Sequence, residues 1–133
     1  MVRHGNEGDL AFLLTHDRHI APEEIKSSLA RGRYLLCELD GRIVGWLRWN
    51  LFWDNTPFLN LLYLLEDFRG QGYGRALVEV WEDEMRRAGY DTVLTSTLSD
   101  ETAQHFYRKL GYVDAGALLL PREALEILFR KQL

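Results

Sequence analysis

Apolar residues recur at two different spacings along this chain, and the spacings separate helices from strands. Leu10, Leu13 and Leu14 share a helical face, which predicts a helix over Asn6 to Leu14 with Asn6 as its cap. Ile25 and Leu29 predict a second helix, opened by Pro22, with Glu23 and Glu24 in its first turn and Gly32 as its stop. Leu77, Val80, Trp81, Met85 and Ala88 predict the longest helix, Gly74 to Ala88, stopped by Gly89. Glu79, Glu82, Asp83, Arg86 and Arg87 then fall on its solvated side. A fourth helix, Glu101 to Leu110, gathers Ala103, Phe106, Tyr107 and Leu110 on one face, with Ser99 or Asp100 as cap and Gly111 as stop.

Alternating or continuous apolar runs mark the strands. Val2 to His4 reads as a short edge strand. Tyr34 to Leu39 and Arg42 to about Trp53 flank Asp40-Gly41, a tight-turn pair that implies an antiparallel hairpin. On the second of these strands Trp46, Arg48, Asn50 and Phe52 share one face, and Leu47, Trp49, Leu51 and Trp53 the other. An arginine between tryptophan and asparagine is not left in a dry core. One face is therefore expected to meet the core and the other a cleft or partner. Asp54 to Pro57 is a turn. Pro57 lacks a donor, so the next strand is expected to begin at Phe58 and run to Leu65, too apolar to face water on either side. Thr92 to Leu98 follows the long helix, an order that implies parallel pairing with that central strand. Tyr112 to Leu118 and Leu125 to Arg130 are the last two strands. The whole reads as one mixed α/β domain over residues 1–133.

Composition narrows the partners. A net charge of −4 over 133 residues, with both signs interspersed, argues against nucleic acid, whose phosphates need a basic excess. The single cysteine, Cys37, lies in an apolar run and is read as a small buried hydrophobe; with no second cysteine there is no internal disulfide. No secretory signal and no apolar run of about 18 residues is present, so a cytoplasmic protein without a membrane partner is expected.

The chemistry concentrates in Phe68-Arg69-Gly70-Gln71-Gly72-Tyr73-Gly74-Arg75, between the central strand and the long helix. Alternate glycines free the backbone of Cβ atoms, so N–H groups can converge on one small space. The helix that starts there has unpaired N–H groups and a partial positive end, yet its first turn has no acidic residue. Arg69 and Arg75 flank it. Together these point to an external anion. A P-loop needs Gly, four residues, then Gly-Lys-Ser/Thr, and no such run exists. The dinucleotide fingerprint fails as well: counted from Gly70 its last glycine is Arg75, and from Gly72 it is Leu77.

Arg69, Gly72 and Gly74 do fit Arg/Gln-x-x-Gly-x-Gly/Ala, and the stretch resembles the acetyl-CoA loop of the GNAT superfamily of N-acetyltransferases. Downstream, Ala103-Gln104-His105-Phe106-Tyr107-Arg108-Lys109-Leu110-Gly111-Tyr112 is similar to that family's Ala-x-x-Phe-Tyr-x-Lys-x-Gly-Phe segment. The resemblance implies the GNAT fold: a mixed, mostly antiparallel sheet with a splayed central parallel pair, flanked by about four helices. It implies acetyl-CoA as cosubstrate. The pyrophosphate would rest on backbone N–H groups of Arg69, Gly70, Gln71, Gly72, Tyr73 and Gly74, with Arg75 beside them, and the pantetheine arm along Leu62 and Leu64. Asp100 stands where the family often has an asparagine that contacts pantetheine, and an aspartate cannot donate as asparagine does. Any of Thr95, Ser96 and Thr97 could bond the arm or order a water; as residues of a half-buried strand they need no function.

Tyr107 matches the family's general-acid tyrosine, although helical spacing alone makes it a core aromatic. The base stays open. Histone-type members carry a glutamate at the position of Phe58, which this chain lacks, so His19, Asp17 or a water chain would take the amine's proton. The first two helices form one wall of the acceptor site in the family. Asp17 and His19 at the joint of those helices, and Trp46, Arg48 and Trp53 on the aromatic strand, whose rings can hold an ammonium by cation–π attraction, are the candidate substrate-binding residues. The expected reaction is direct transfer to a primary amine, on a small molecule rather than a protein, with no metal and no covalent enzyme intermediate. The alternatives are a catalytically silent acyl-CoA-binding module and a nucleotide-binding regulatory domain. The aromatic strand also offers a face for a homodimer.

Overall fold

The computed structural model describes residues 1–133. The elements run β1 (Val2–His4), α1 (Leu10–His16), α2 (Pro22–Ala30), β2 (Tyr34–Leu39), β3 (Arg42–Phe52), β4 (Thr56–Leu64), α3 (Tyr73–Arg87), β5 (Thr92–Leu98), α4 (Ala103–Lys109), β6 (Val113–Leu118) and β7 (Glu126–Gln132). Short 3-10 turns at Glu7–Asp9 and Glu66–Phe68 precede α1 and follow β4. The strands hydrogen-bond in the order β1-β2-β3-β4-β5-β7-β6. No helix is long and apolar enough to cross a membrane.

Two compact units make up the chain. The first comprises Met1–Asn50 and Leu61–Trp81. Here β1 and β3 pair antiparallel with β2. Asp40 and Gly41 both have positive φ, the backbone a two-residue hairpin turn demands. Asn6 caps the start of the first helical segment, accepting from Gly8 N–H at 2.8 Å, and Asp9 answers by accepting from Asn6 N–H. Leu13, Ile25, Tyr34, Leu36 and Trp46 form a buried cluster beneath α1 and α2. The other face of β3 is covered too: Leu47 is fully buried, and the Trp49 ring lies 6.4 Å from that of Trp81 on α3. Both faces of β3 are therefore packed about Val44 to Leu47, and Trp46 also borders the cavity described below, in keeping with the expected cleft. Trp46 is 1% exposed and Trp49 half-buried, while Phe52 at the end of the strand is exposed. Cys37 is buried, and burial pushes its thiol up.

The second unit comprises Leu51–Asn60 and Glu82–Leu133. β5 pairs antiparallel with β7 along its whole length, and β6 adds to β7 as an edge strand with every residue exposed. β4 joins β5 in parallel through only two pairs, Phe58↔Leu94 and Leu59↔Thr95, although both strands continue. Tyr107 packs edge-on against Phe106 and Tyr112 and stacks with Phe129.

Six local expectations change. β4 starts at Thr56 and runs through a buried Pro57, because the strand tolerates one missing donor there. The preceding turn falls on Trp53 and Asp54, both at positive φ, closed by Asn55 N–H donating to the Phe52 carbonyl. β4 is not sealed from water: Asn60 and Tyr63 are exposed. Glu82, read as solvated, is 4% exposed, because Tyr112 and Lys131 reach it; Ala88, read as apolar face, is exposed. α4 begins later than expected, at Ala103, and neither Ser99 nor Asp100 caps it through a side chain.

Candidate active site

In the first unit, β4 leads through the Glu66–Phe68 turn into the glycine loop and α3. Gly70 and Gly72 adopt φ values of 71° and 91°, and a Cβ at either would meet nothing within 4 Å. Their constraint is conformational, since left-handed backbone is costly for other residues. The first turn of α3 carries no acid. Its leading N–H groups have no intrahelical acceptor, which is the arrangement an anion fills. Arg75 pairs with Glu79 on the exposed helix surface, and Gln71 is tied back to the Asp67 carbonyl.

Arg69 has a role the sequence did not show. Its Nε donates to the Leu64 carbonyl at 2.9 Å and its guanidinium lies over the Tyr63 ring. The loop is thereby fastened to the end of β4. Gly45 fastens the same place from β3: a Cβ there would lie 2.9 Å from the Tyr63 carbonyl oxygen, and Leu64 is seated against it. Leu65 N–H then donates to the Val44 carbonyl. The backbone about Leu62 and Leu64, the stretch matched to the pantetheine arm, is thus held from two sides.

A cavity of about 300 Å³ opens beside this strand, lined by His16, Asp17, Arg18, His19, Trp46, Leu61, Tyr63 and Leu65. Three of the five acceptor candidates, Asp17, His19 and Trp46, come together here. Arg48 stands behind them: its Nε donates to Asp17 Oδ2 at 2.9 Å, and Tyr34 OH donates to the same oxygen at 2.6 Å. This answers how β3 carries an arginine on a packed face. The Asp17 side chain is wholly buried and its Oδ1 has no partner, nor does Trp46 Nε1. Trp53 does not line the cavity. It projects from the β3–β4 hairpin tip, 78% exposed, against Phe52. Its expected substrate role rested on strand alternation, which ends one residue earlier.

His16, Leu61 and Tyr63 were missed. Extending the α1 period past Leu14 would have reached His16, whose ring rests 4.2 Å from Phe12. Alternation along β4 puts Leu61, Tyr63 and Leu65 on one face, but only the fold shows that this face is open.

In the second unit, Thr95 Oγ1 donates to the Leu59 carbonyl at 3.0 Å, across the last parallel pair. Tyr107 is 5% exposed, and burial pushes its phenol well above the ordinary tyrosine value, while the Thr95 hydroxyl acts the other way. Such a phenol stays protonated at neutral pH. Two residues on, Thr97 is 6% exposed and its Oγ1 has no partner. Asp100 lies in the turn before α4.

The acetyltransferase (GNAT) family model matches residues 7–112 of this chain. An uncharacterised N-acetyltransferase of Methanocaldococcus jannaschii is 32% identical over 92 residues, 67% of this chain and 56% of that protein, so the match spans little more than half of the relative's length. Among solved structures, the ribosomal-protein-alanine N-acetyltransferase of Brucella melitensis superposes with a TM-score of 0.83 at 20% identity, covering 100% of this chain and 99% of that one. Ard1 of Thermoplasma volcanium gives 0.84 at 17%, covering 99% and 96%. The PaiA N-acetyltransferase of Thermoplasma acidophilum, solved with coenzyme A, gives 0.77 at 16%, covering 100% and 98%. At such identities these structures establish the shared fold.

Proposed function

Because the chain belongs to the GNAT acetyltransferase family, whose acetyl donor is acetyl-CoA, we propose that it moves an acetyl group from acetyl-CoA directly onto a primary amine. The observation that carries this reading is Tyr107, a buried and protonated phenol beside the last β4–β5 pair. A module that merely bound acyl-CoA would have no need of an acid there.

The chain's own groups fit the cofactor. The loop from Arg69 to Gly74 and the acid-free start of α3 suit a diphosphate. Backbone N–H groups about Leu62 and Leu64 are the donors that would polarise a carbonyl. When bound, acetyl-CoA supplies the acetyl group as an activated thioester. Tyr107 Oη holds the proton that a departing thiolate would require, its ordinary value near 10 already lying above a thiol's near 8.5.

The acceptor belongs in the cavity of the first unit. Its volume, about 300 Å³, is at the low end for small-ligand sites and suits a compact amine. Trp46 and Tyr63 offer aromatic faces to an ammonium. His19 takes the amine's proton, and Asp17 orients the site from beneath. A protein N-terminus is the second reading, supported by the structural likeness to the Brucella ribosomal-protein-alanine N-acetyltransferase.

Thiol release from acetyl-CoA, measured against a panel of small amines and short peptides, tests the proposal. Wild type is expected to release thiol with at least one small amine. Tyr107→Phe is expected to fold normally and lose one to three orders of magnitude in turnover. Unchanged turnover would remove Tyr107 as the acid. Coenzyme A binding without thiol release from any acceptor would identify a silent binding module instead.

A further inference from the structure

The cavity of the first unit is lined by both signs of charge, and the protein matches only one of them. Its acid, Asp17, is paired with Arg48 and still has Oδ1 without a donor. Its arginine, Arg18, is exposed and enters no ion pair. One hydrogen bond holds the Arg18 guanidinium, from Nε to the Thr15 carbonyl at 3.5 Å, so both Nη groups remain to donate. Composition does not force this. The chain has 20 acids to 16 lysines and arginines, and Arg3, Arg75, Arg86 and Arg108 each find a carboxylate.

The lining is also divided by side. Trp46, Leu61, Tyr63 and Leu65, from β3, β4 and the residue after it, make an aromatic and apolar wall. His16, Arg18 and His19, from the end of α1 and the joint after it, supply N–H donors. The His16 ring lies 6.5 Å from that of Trp46, so the two walls meet there. An ammonium suits the aromatic wall and the empty acceptor of Asp17. It does not suit Arg18, whose unmatched charge repels it and whose paired N–H groups fit a carboxylate.

We propose that the acceptor amine also carries a carboxylate, held by Arg18 while the amine faces Trp46, Tyr63 and Asp17. The substrate class is then a small amino acid rather than a plain alkyl amine or a polyamine. This deepens the acceptor reading above and rests on it. Asp17 and Arg18 set specificity at opposite ends of one zwitterion, and Arg18 touches no reacting atom.

Calorimetry on the full chain tests this by comparing glycine, β-alanine and γ-aminobutyrate, each with its own primary amide. At least one carboxylate is expected to bind about three- to tenfold more tightly than its amide. Arg18 is exposed and ties nothing together, so Arg18→Gln should fold as wild type does. It is expected to bring carboxylate and amide to equal affinity, while Arg18→Lys keeps part of the preference. Added salt should narrow the wild-type ratio, because the charge is open to solvent. Amides that bind as well as every carboxylate, or a preference that survives in Arg18→Gln, overturn the proposal. A preference confined to alanyl-aspartate amide over alanyl-asparagine amide would put the carboxylate on a protein and overturn the small-substrate class. Thiol release with the same pairs is read separately. A carboxylate preference in binding without thiol release leaves the Arg18 site standing and overturns acetyl transfer alone, so the two failures are told apart.

Discussion

Each unit of this protein buries one carboxylate between a tyrosine and a cation, and the two sites use it differently. In the second unit, Glu82 divides the work: Oε2 accepts from Tyr112 OH at 2.7 Å and Oε1 from Lys131 Nζ at 2.9 Å. In the first, Asp17 places both donors on Oδ2, Tyr34 OH at 2.6 Å and Arg48 Nε at 2.9 Å, and leaves Oδ1 empty. Composition and distances are nearly the same. The difference is capacity. Glu82 is a closed tie between α3, β7 and the residue before β6. Asp17 keeps an acceptor in reserve in a residue that lines the cavity. A buried ionic cluster by itself says little about stability or function, but one left incomplete beside a cavity points to the ligand side.

The largest effect that would break this comparison comes from removing each carboxylate. Asp17→Ala strands Arg48, whose side chain is 11% exposed, together with the fully buried Tyr34 hydroxyl. Removal of one partner from such a pair costs about 3–5 kcal/mol. Glu82→Ala likewise strands the buried Tyr112 hydroxyl but leaves Lys131 at 24% exposure, free to turn to water, and should cost about 2 kcal/mol. Denaturant titration measures both. Equal losses would mean that solvent access does not separate the two sites.

How much of this was legible beforehand follows from which interactions are local. The glycine loop, the α3 start and the Phe106-Tyr107 segment are short-range patterns, and each fell on the expected element. The parallel β4–β5 pair followed from strand–helix–strand order. Asp17 could be noticed as a loop acid, but its partners lie 17 and 31 residues away, so no spacing rule joins them. Glu82 was misread because helical periodicity counts a glutamate as polar, whereas Tyr112 and Lys131 arrive from 30 and 49 residues downstream. Trp53 was misplaced because its positive φ, unusual for an aromatic residue, moved the turn. The early end of the β4–β5 ladder was expected only from family resemblance, since nothing in an apolar run announces where pairing stops.

A subtler probe separates function from stability by keeping the shapes. Asp17→Asn and Glu82→Gln each retain two polar atoms and lose the charge. Asp17→Asn is expected to raise the KM for the best amine of the panel about tenfold, the scale of one charge-assisted hydrogen bond. Glu82→Gln should leave that KM unchanged while lowering the melting temperature. Steady-state thiol release at fixed acetyl-CoA reads both. A KM shift in Glu82→Gln equal to that in Asp17→Asn would erase the functional distinction.

The smallest expected effects lie with the two tyrosines. Burial first, then the neighbouring carboxylate, raises the hydroxyl of Tyr34 and of Tyr112 above the ordinary value near 10. A raised folded value contributes stability that is complete below about pH 10 and lost as pH climbs through it toward the folded value. Wild type should therefore lose melting temperature above about pH 10, and Tyr34→Phe or Tyr112→Phe should each shallow that fall. At pH 7 the two variants should part. Tyr34→Phe leaves Asp17 Oδ2 still bonded to Arg48, so no further oxygen is emptied. Tyr112→Phe empties Glu82 Oε2, and a newly unpaired buried acceptor costs about 1–3 kcal/mol. Tyr112→Phe should thus melt lower than Tyr34→Phe at neutral pH. The reverse order would mean that the doubly bonded oxygen of Asp17, rather than the evenly shared pair of Glu82, is the tighter clamp.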